Sequence, residues 1–178
     1  MSNRVTDPPR ELIQTDGTTR PLRNWMQSVS NVLDIPAFRA DRNGTSQTGV
    51  VSGVETVMQL NNDSAGQAFD THDYYDITTY RYTPLVAGYY HLGAGCFFSV
   101  VTAGTDITVE ILKNGVIAIQ AIDFATGTVS PAVNCSGPLL LNGSTDYITF
   151  QCYHNSGSNQ SLDGLVRTTY AWGFRLPT

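Results

Sequence analysis

From Ala37 onward, apolar and polar residues alternate in short runs with a period of two, the pattern of half-buried β-strands. Tyr90, Leu92, Ala94, Cys96, Phe98 and Val100 fall on one face of one such run, and that face is expected to be buried. Ile107, Val109 and Ile111 repeat the pattern facing inward. Ile117 and Ile119 are expected on one side of the following run, and Tyr170, Trp172, Phe174 and Leu176 line one face of the last. Lys113-Asn114-Gly115 separates two alternating runs, and Asn-Gly marks a hairpin because both residues tolerate positive φ. Pro84 and Gly88 bracket a turn joining two aromatic strands between Tyr80 and Cys96. The pattern predicts strands over residues 37–39, 50–59, 77–82, 89–101, 106–112, 116–122, 132–141, 146–153 and 165–176. About ten short antiparallel strands with Gly/Asn turns predict an all-β fold, a jelly-roll β-sandwich.

The beginning of the chain follows a different rule. Residues 1–20 are polar, and then Leu22, Trp25, Met26, Val29, Val32 and Leu33 recur at steps of three and four, predicting a short amphipathic α-helix. Pro21 suits the first helical position, and Pro36 forces the helix to end. Such a short helix is marginal alone in water, so its stripe has to pack on its own domain, on sister copies or on a larger assembly. The chain therefore divides into an N-terminal segment, 1–35, and a head domain, 36–178. In this reading Leu22, Trp25, Met26, Val29 and Leu33 are the assembly or anchoring residues.

Composition narrows the function. The 178 residues suffice for one core and a short appendage. Ten Lys and Arg against fifteen Asp and Glu give a net charge of −5, and the basic residues form no cluster of the kind a nucleic-acid groove requires. No apolar stretch approaches the roughly 20 residues of a membrane span. No secretory signal is visible, so synthesis in a cytoplasm is the expectation. Cys96, Cys135 and Cys152 are widely spaced among apolar residues, which fits small buried hydrophobes rather than a disulfide framework or a zinc site. Asn-x-Ser/Thr triplets at Asn43, Asn62, Asn134, Asn142 and Asn159 are frequent enough to arise from composition alone.

Candidate chemistry is sparse. There is no Gly-x-Ser-x-Gly elbow, no phosphate-cradling loop and no His-Glu-x-x-His, and Asp106, Glu110, Asp123 and Asp146 are dispersed and expected to be solvated. The expectation is a protein that is not an enzyme and uses no cofactor. Asp70, Asp73 and Asp76 around His72 offer oxygen atoms but lack the spacing of a known calcium loop, so a polar connection is expected there and no metal. Two polar loops suit recognition better: Tyr153, His154, Asn155 and Asn159 head a long connection, and Asn61 and Asn62 open a second.

Certain landmarks occur in a telling order: Ala37-Phe38-Arg39-Ala40, Ala68-Phe69-Asp70, Tyr75-Asp76, then Thr79, Tyr82, Pro84, Gly88 and Tyr90, then Leu112-Lys113-Asn114-Gly115, Leu139-Leu140-Leu141-Asn142-Gly143, Asp146-Tyr147-Ile148 and Trp172-Gly173-Phe174. Over residues 37–176 this set resembles the globular head of complement component one, subcomponent q, and its tumour-necrosis-factor-like relatives. The resemblance implies a ten-strand jelly roll that assembles as a homotrimer, with first and last strands adjacent near the three-fold axis. One turn departs from the pattern, since Gly143-Ser144-Thr145-Asp146 inserts two residues where the family has Gly-Asp. Residues 16–25, Asp16-Gly17-Thr18-Thr19-Arg20-Pro21-Leu22-Arg23-Asn24-Trp25, resemble the N-terminal segment of bacteriophage tail and structural proteins. Together these imply a non-enzymatic, homotrimeric virion protein made in the host bacterial cytoplasm: a tail fibre, neck or capsid appendage contacting other virion proteins. The alternatives are a receptor-binding protein for a host cell-surface glycan and, of another class, a glycan-degrading enzyme.

Overall fold

In the computed structural model, residues 35–177 are described, so the N-terminal helix with Leu22, Trp25, Met26, Val29 and Leu33 lies outside the described residues. Residues 36–176 form one compact all-β unit. Its strands are β1 (Ala37–Asp41), β2 (Gln47–Val50), β3 (Thr56–Val57), β4 (Phe69–Asp70), β5 (Tyr75–Asp76), β6 (Arg81–Tyr82), β7 (Gly88–Phe97), β8 (Asp106–Lys113), β9 (Val116–Phe124), β10 (Ala132–Leu141), β11 (Ile148–His154), β12 (Gln160–Leu162) and β13 (Tyr170–Arg175). One sheet runs β10-β7-β13-β1-β4, the other β5-β6-β11-β8-β9 with β3 on β11, and β12 pairs with β2. All the pairings are antiparallel, and β1 and β13, the first and last strands described, are neighbours at the centre of the first sheet.

The core lies between the two main sheets. Phe38 stacks on Tyr82 with centroids 4.1 Å apart, Tyr75 lies 5.5 Å from Phe38 on its stacked side, and Tyr90, Leu92, Ile107, Val109, Ile111 and Phe150 close the layer. Ala94, Cys96 and Phe98 continue the buried face of β7 as the alternation predicts, but Val100 is 56% exposed. The strand ends at Phe97, the chain then turns, and Val101 takes the inward position.

Other departures have equally local causes. Asn114 and Gly115, at φ 54° and 80°, make the predicted two-residue hairpin between Lys113 and Val116. A bulge opposite Ile111 and Leu112 then sets Ile117 opposite Leu112 and Ile119 opposite Ile111, so Ile117 is exposed while Ile119 packs on the core. Pro84 and Gly88 do not close a hairpin; they carry the chain from β6 in one sheet to β7 in the other. Of residues 77–82 only Arg81–Tyr82 is strand, because the Asp76 carboxylate accepts bonds from Thr78 and Thr79 and holds a turn. The single strand expected over 50–59 is interrupted: β2 ends at Val50 and β3 begins at Thr56. The last strand starts at Tyr170, since Asp163 accepts from the Leu165 amide and the Thr168 hydroxyl and fixes a turn before it. The connection after His154 is itself ordered into β12. Short strands of two to four residues are what the alternation could not register.

The inserted turn is built on its own side chains. Asn142 Oδ1 accepts from the amides of Ser144, Thr145 and Asp146, while Asp146 accepts from the Asn142 amide at 2.8 Å. Gly143 is required there: its φ is +69°, and a Cβ would sit 2.2 Å from the Ala87 backbone nitrogen.

Candidate functional site

Two surfaces of the head carry organised side chains. The first is the outward face of the β10-β7-β13-β1-β4 sheet. On β13 the inward residues are small, Ala171 and Gly173, and a Cβ on Gly173 would meet Leu92 at 2.5 Å. Tyr170, Trp172 and Phe174 therefore point away from the core; Leu176 lies past the strand end. Their rings rest on a floor of glycine. Trp172 is opposite Gly93 and Tyr170 opposite Gly95, and a Cβ on Gly93 would lie 2.4 Å from the indole. Trp172 stacks on Phe174 at 6.0 Å, His91 touches both rings, and the Arg39 guanidinium sits 4.5 Å above Tyr170 while donating to the Val166 carbonyl. Tyr89, Leu140 and Phe69 extend this face on neighbouring strands, and they are 50%, 54% and 46% exposed. An apolar, aromatic sheet face of this kind is a candidate interaction surface.

The second surface is a groove of about 200 Å³ on the outside of the other sheet, lined by Glu55, Asp106, Thr108, Glu110, Gln120, Ile122 and Tyr153. Glu110 is only 2% exposed, which corrects the expectation that it is solvated. Gln120 donates to its Oε1 at 2.7 Å, and its Oε2 has no partner. Burial raises the Glu110 carboxyl above the usual carboxylate range, against the Gln120 bond that lowers it. Asp146 is buried too, as the centre of a hairpin network: Lys113 Nζ lies 2.9 Å from it and Asn114 donates to it. Asp106 accepts from Asn155 at 2.8 Å, and Asp123 is exposed.

The loop residues named from sequence divide. Tyr153 lines the acidic groove, and Asn155 borders it through Asp106. His154 is fully buried: Nε2 meets the Val50 carbonyl at 3.0 Å, Nδ1 meets Ser156, and the ring packs edge-on to Phe98. It is spent on structure. Asn62 is buried as well, donating to Asp41 and to the Ala65 carbonyl, whereas Asn61 and Asn159 are exposed. The second loop is tied to the end of β1 and the first to Val50 and the start of β8, so their hydrogen bonds anchor them to different strands. In the Asp70–Asp76 segment, Asp70 accepts from the amides of His72 and Tyr75, and Thr78 and Thr79 hold the Asp76 carboxyl down at about 2. Among the described residues no group of three His, Cys, Asp or Glu is arranged to hold a metal ion. All three cysteines are buried free thiols, and burial pushes Cys135 up to about 11 and Cys152 up to about 12.

Sequence reading missed Glu110 and the outward aromatic ladder as sites. The signal for the ladder was present, in the pairing of large outward residues on β13 with Gly93 and Gly95 on β7; the signal for Glu110 was not.

No protein-family model matches the sequence, and no curated protein is significantly similar to it. Solved structures do match. The globular domain of zebrafish complement 1qA protein superposes with a TM-score of 0.55 at 15% identity, covering 81% of this chain and 98% of that one. Murine APRIL superposes with TM-scores of 0.56 at pH 8.5 and 0.58 at pH 5.0, each at 13% identity, covering 80% of this chain and all of the other. The head therefore has the C1q/TNF-like jelly-roll fold.

Proposed function

We propose that the protein is a non-enzymatic, homotrimeric structural component of a bacteriophage particle, a tail fibre, neck or capsid appendage, with residues 1–35 fastening it and the jelly-roll head exposed. The observation that carries the trimer is the outward ladder of Tyr170, Trp172 and Phe174 with His91, Tyr89 and Leu140. Among the described residues this ladder stays partly exposed, and copies meeting around an axis through the β1–β13 side of the head would cover it. The phage setting draws support from residues 16–25 and from the apolar stripe of residues 22–33. Deleting residues 1–34 should leave a trimeric head that no longer joins particles; normal incorporation of the truncated protein would reject the anchoring role, and a well-folded monomer would reject the assembly.

A second reading, receptor binding to a host cell-surface glycan, is favoured by one observation: Tyr153, Thr108, Gln120 and the carboxylates converge on one groove. The remaining alternative is a glycan-degrading enzyme. Incubating the protein with host polysaccharide separates the two, because only an enzyme shortens the chains.

A further inference from the structure

We infer that the groove between Glu55, Glu110 and Tyr153 is a monosaccharide subsite for an amino sugar whose nitrogen is a free ammonium group, seated against the Glu110 carboxylate. The choice of ligand rests on the glycan-binding reading above; the site does not. Glu110 is almost wholly buried, yet its Oε2 makes no hydrogen bond. A buried carboxylate oxygen left unpaired is costly, and such groups point to a missing partner. That partner should be cationic. Glu55 and Asp106 add two more carboxylates to the lining, which contains no Lys, Arg or His. An N–H⁺ donor to a carboxylate makes a bond roughly twice as strong as a neutral hydroxyl does.

The rest of the lining selects a sugar ring over a bare amine. Tyr153 and Ile122 offer apolar surface for one face of a pyranose, while Thr108 and Gln120 supply neutral hydrogen-bonding groups for its hydroxyls. A volume of about 200 Å³, below the roughly 300 Å³ at which pockets for drug-sized ligands begin, suits an occupant the size of one ring. The carboxylates are not arranged as metal ligands, which disfavours a divalent cation as the occupant.

The test is saturation-transfer NMR on the full chain with glucosamine, N-acetylglucosamine and glucose as separate probes. Glucosamine should bind at least about tenfold more tightly than either neutral sugar, and Glu110→Gln should remove that preference by a similar factor, since one charge-assisted bond is worth about a factor of ten or more. Asp123→Asn, outside the groove, should keep it. Glu55→Gln alters an exposed side chain of the same groove and should weaken glucosamine several-fold without touching the fold, so a misfolded Glu110 variant would not leave the question open. Equal binding of the three sugars, no transfer to glucosamine, tighter binding of N-α-acetyl-lysine amide, displacement of glucosamine by low calcium, or full affinity in both groove variants would each overturn the assignment. Retained binding to a whole-glycan array with no glucosamine binding would remove this subsite and leave the glycan reading standing; glucosamine in the groove with no array binding would do the reverse.

Discussion

Placing a carboxylate on the outward ladder tests the assembly most directly. Phe174 is 37% exposed and lies between Trp172 and His91. With about 200 Å² for a phenylalanine side chain, roughly 70 Å² remains to be covered by a neighbouring copy, worth about 2 kcal/mol per protomer at 25 cal/mol per Å². Phe174→Glu loses that term and adds the desolvation of a charge, several kcal/mol per ion. The proposed three-fold symmetry would repeat both in every protomer, so the combined loss would exceed about 10 kcal/mol per assembly. The fold itself should survive, because the inward neighbour Gly173 and the core beneath it are untouched. Light scattering on size-separated protein should report about 58 kDa for wild type, three chains of 19.4 kDa, and 19.4 kDa for the variant, with the β-sheet circular dichroism unchanged. A wild-type mass of one chain, or a variant that keeps the wild-type mass, would refute the reasoning.

Three further outcomes follow from the same geometry. Phe38→Ala empties the stack on Tyr82 and Tyr75 and should cost about 3–5 kcal/mol, seen as a lower urea midpoint at fixed protein concentration, whereas Phe124→Ala at the exposed edge should stay within about 0.5 kcal/mol. Asp146→Asn should lower the melting temperature at neutral pH. Lys113 and Asn114 hold the Asp146 carboxyl below its ordinary value, so its contribution is present above the unfolded value of about 3.9 and lost as pH falls through the folded one; the gap between wild type and variant should therefore close below about pH 4. Ellman's reagent should leave Cys96, Cys135 and Cys152 unmodified in the native protein and titrate all three thiols in guanidinium, because burial raises each thiol and blocks access to it.

What the chain disclosed about itself depended on the range over which the cause acts. Strictly local causes were readable: Asn114-Gly115 set a hairpin, and the alternation of β7 set a buried face from Tyr90 to Phe98. Causes one turn away were not. The bulge that separates Ile117 from Ile119, and the Asp76 and Asp163 caps that shorten strands on either side, depend on hydrogen bonds that alternation does not encode. Residues 1–34, on which the anchoring proposal draws, lie outside the described structure. Most instructive is the question of sides. A period of two says which residues share a face and is silent on which face is covered; the cross-strand neighbours decide that. Glu110 stands at an outward position of β8 between Val109 and Ile111, and it is buried in the groove wall beside Gln120 of β9, which donates to it. Trp172 and Phe174 stand at outward positions of β13, and their larger neighbours inside are replaced by Ala171 and Gly173, with Gly93 and Gly95 cleared beneath the rings. A strand that gives its small residues to the core and its aromatic ones to the surface gains nothing from doing so as an isolated molecule. In the proposed trimer a neighbouring copy removes those rings from water, which is why the mass in solution decides more about that proposal than any other single measurement.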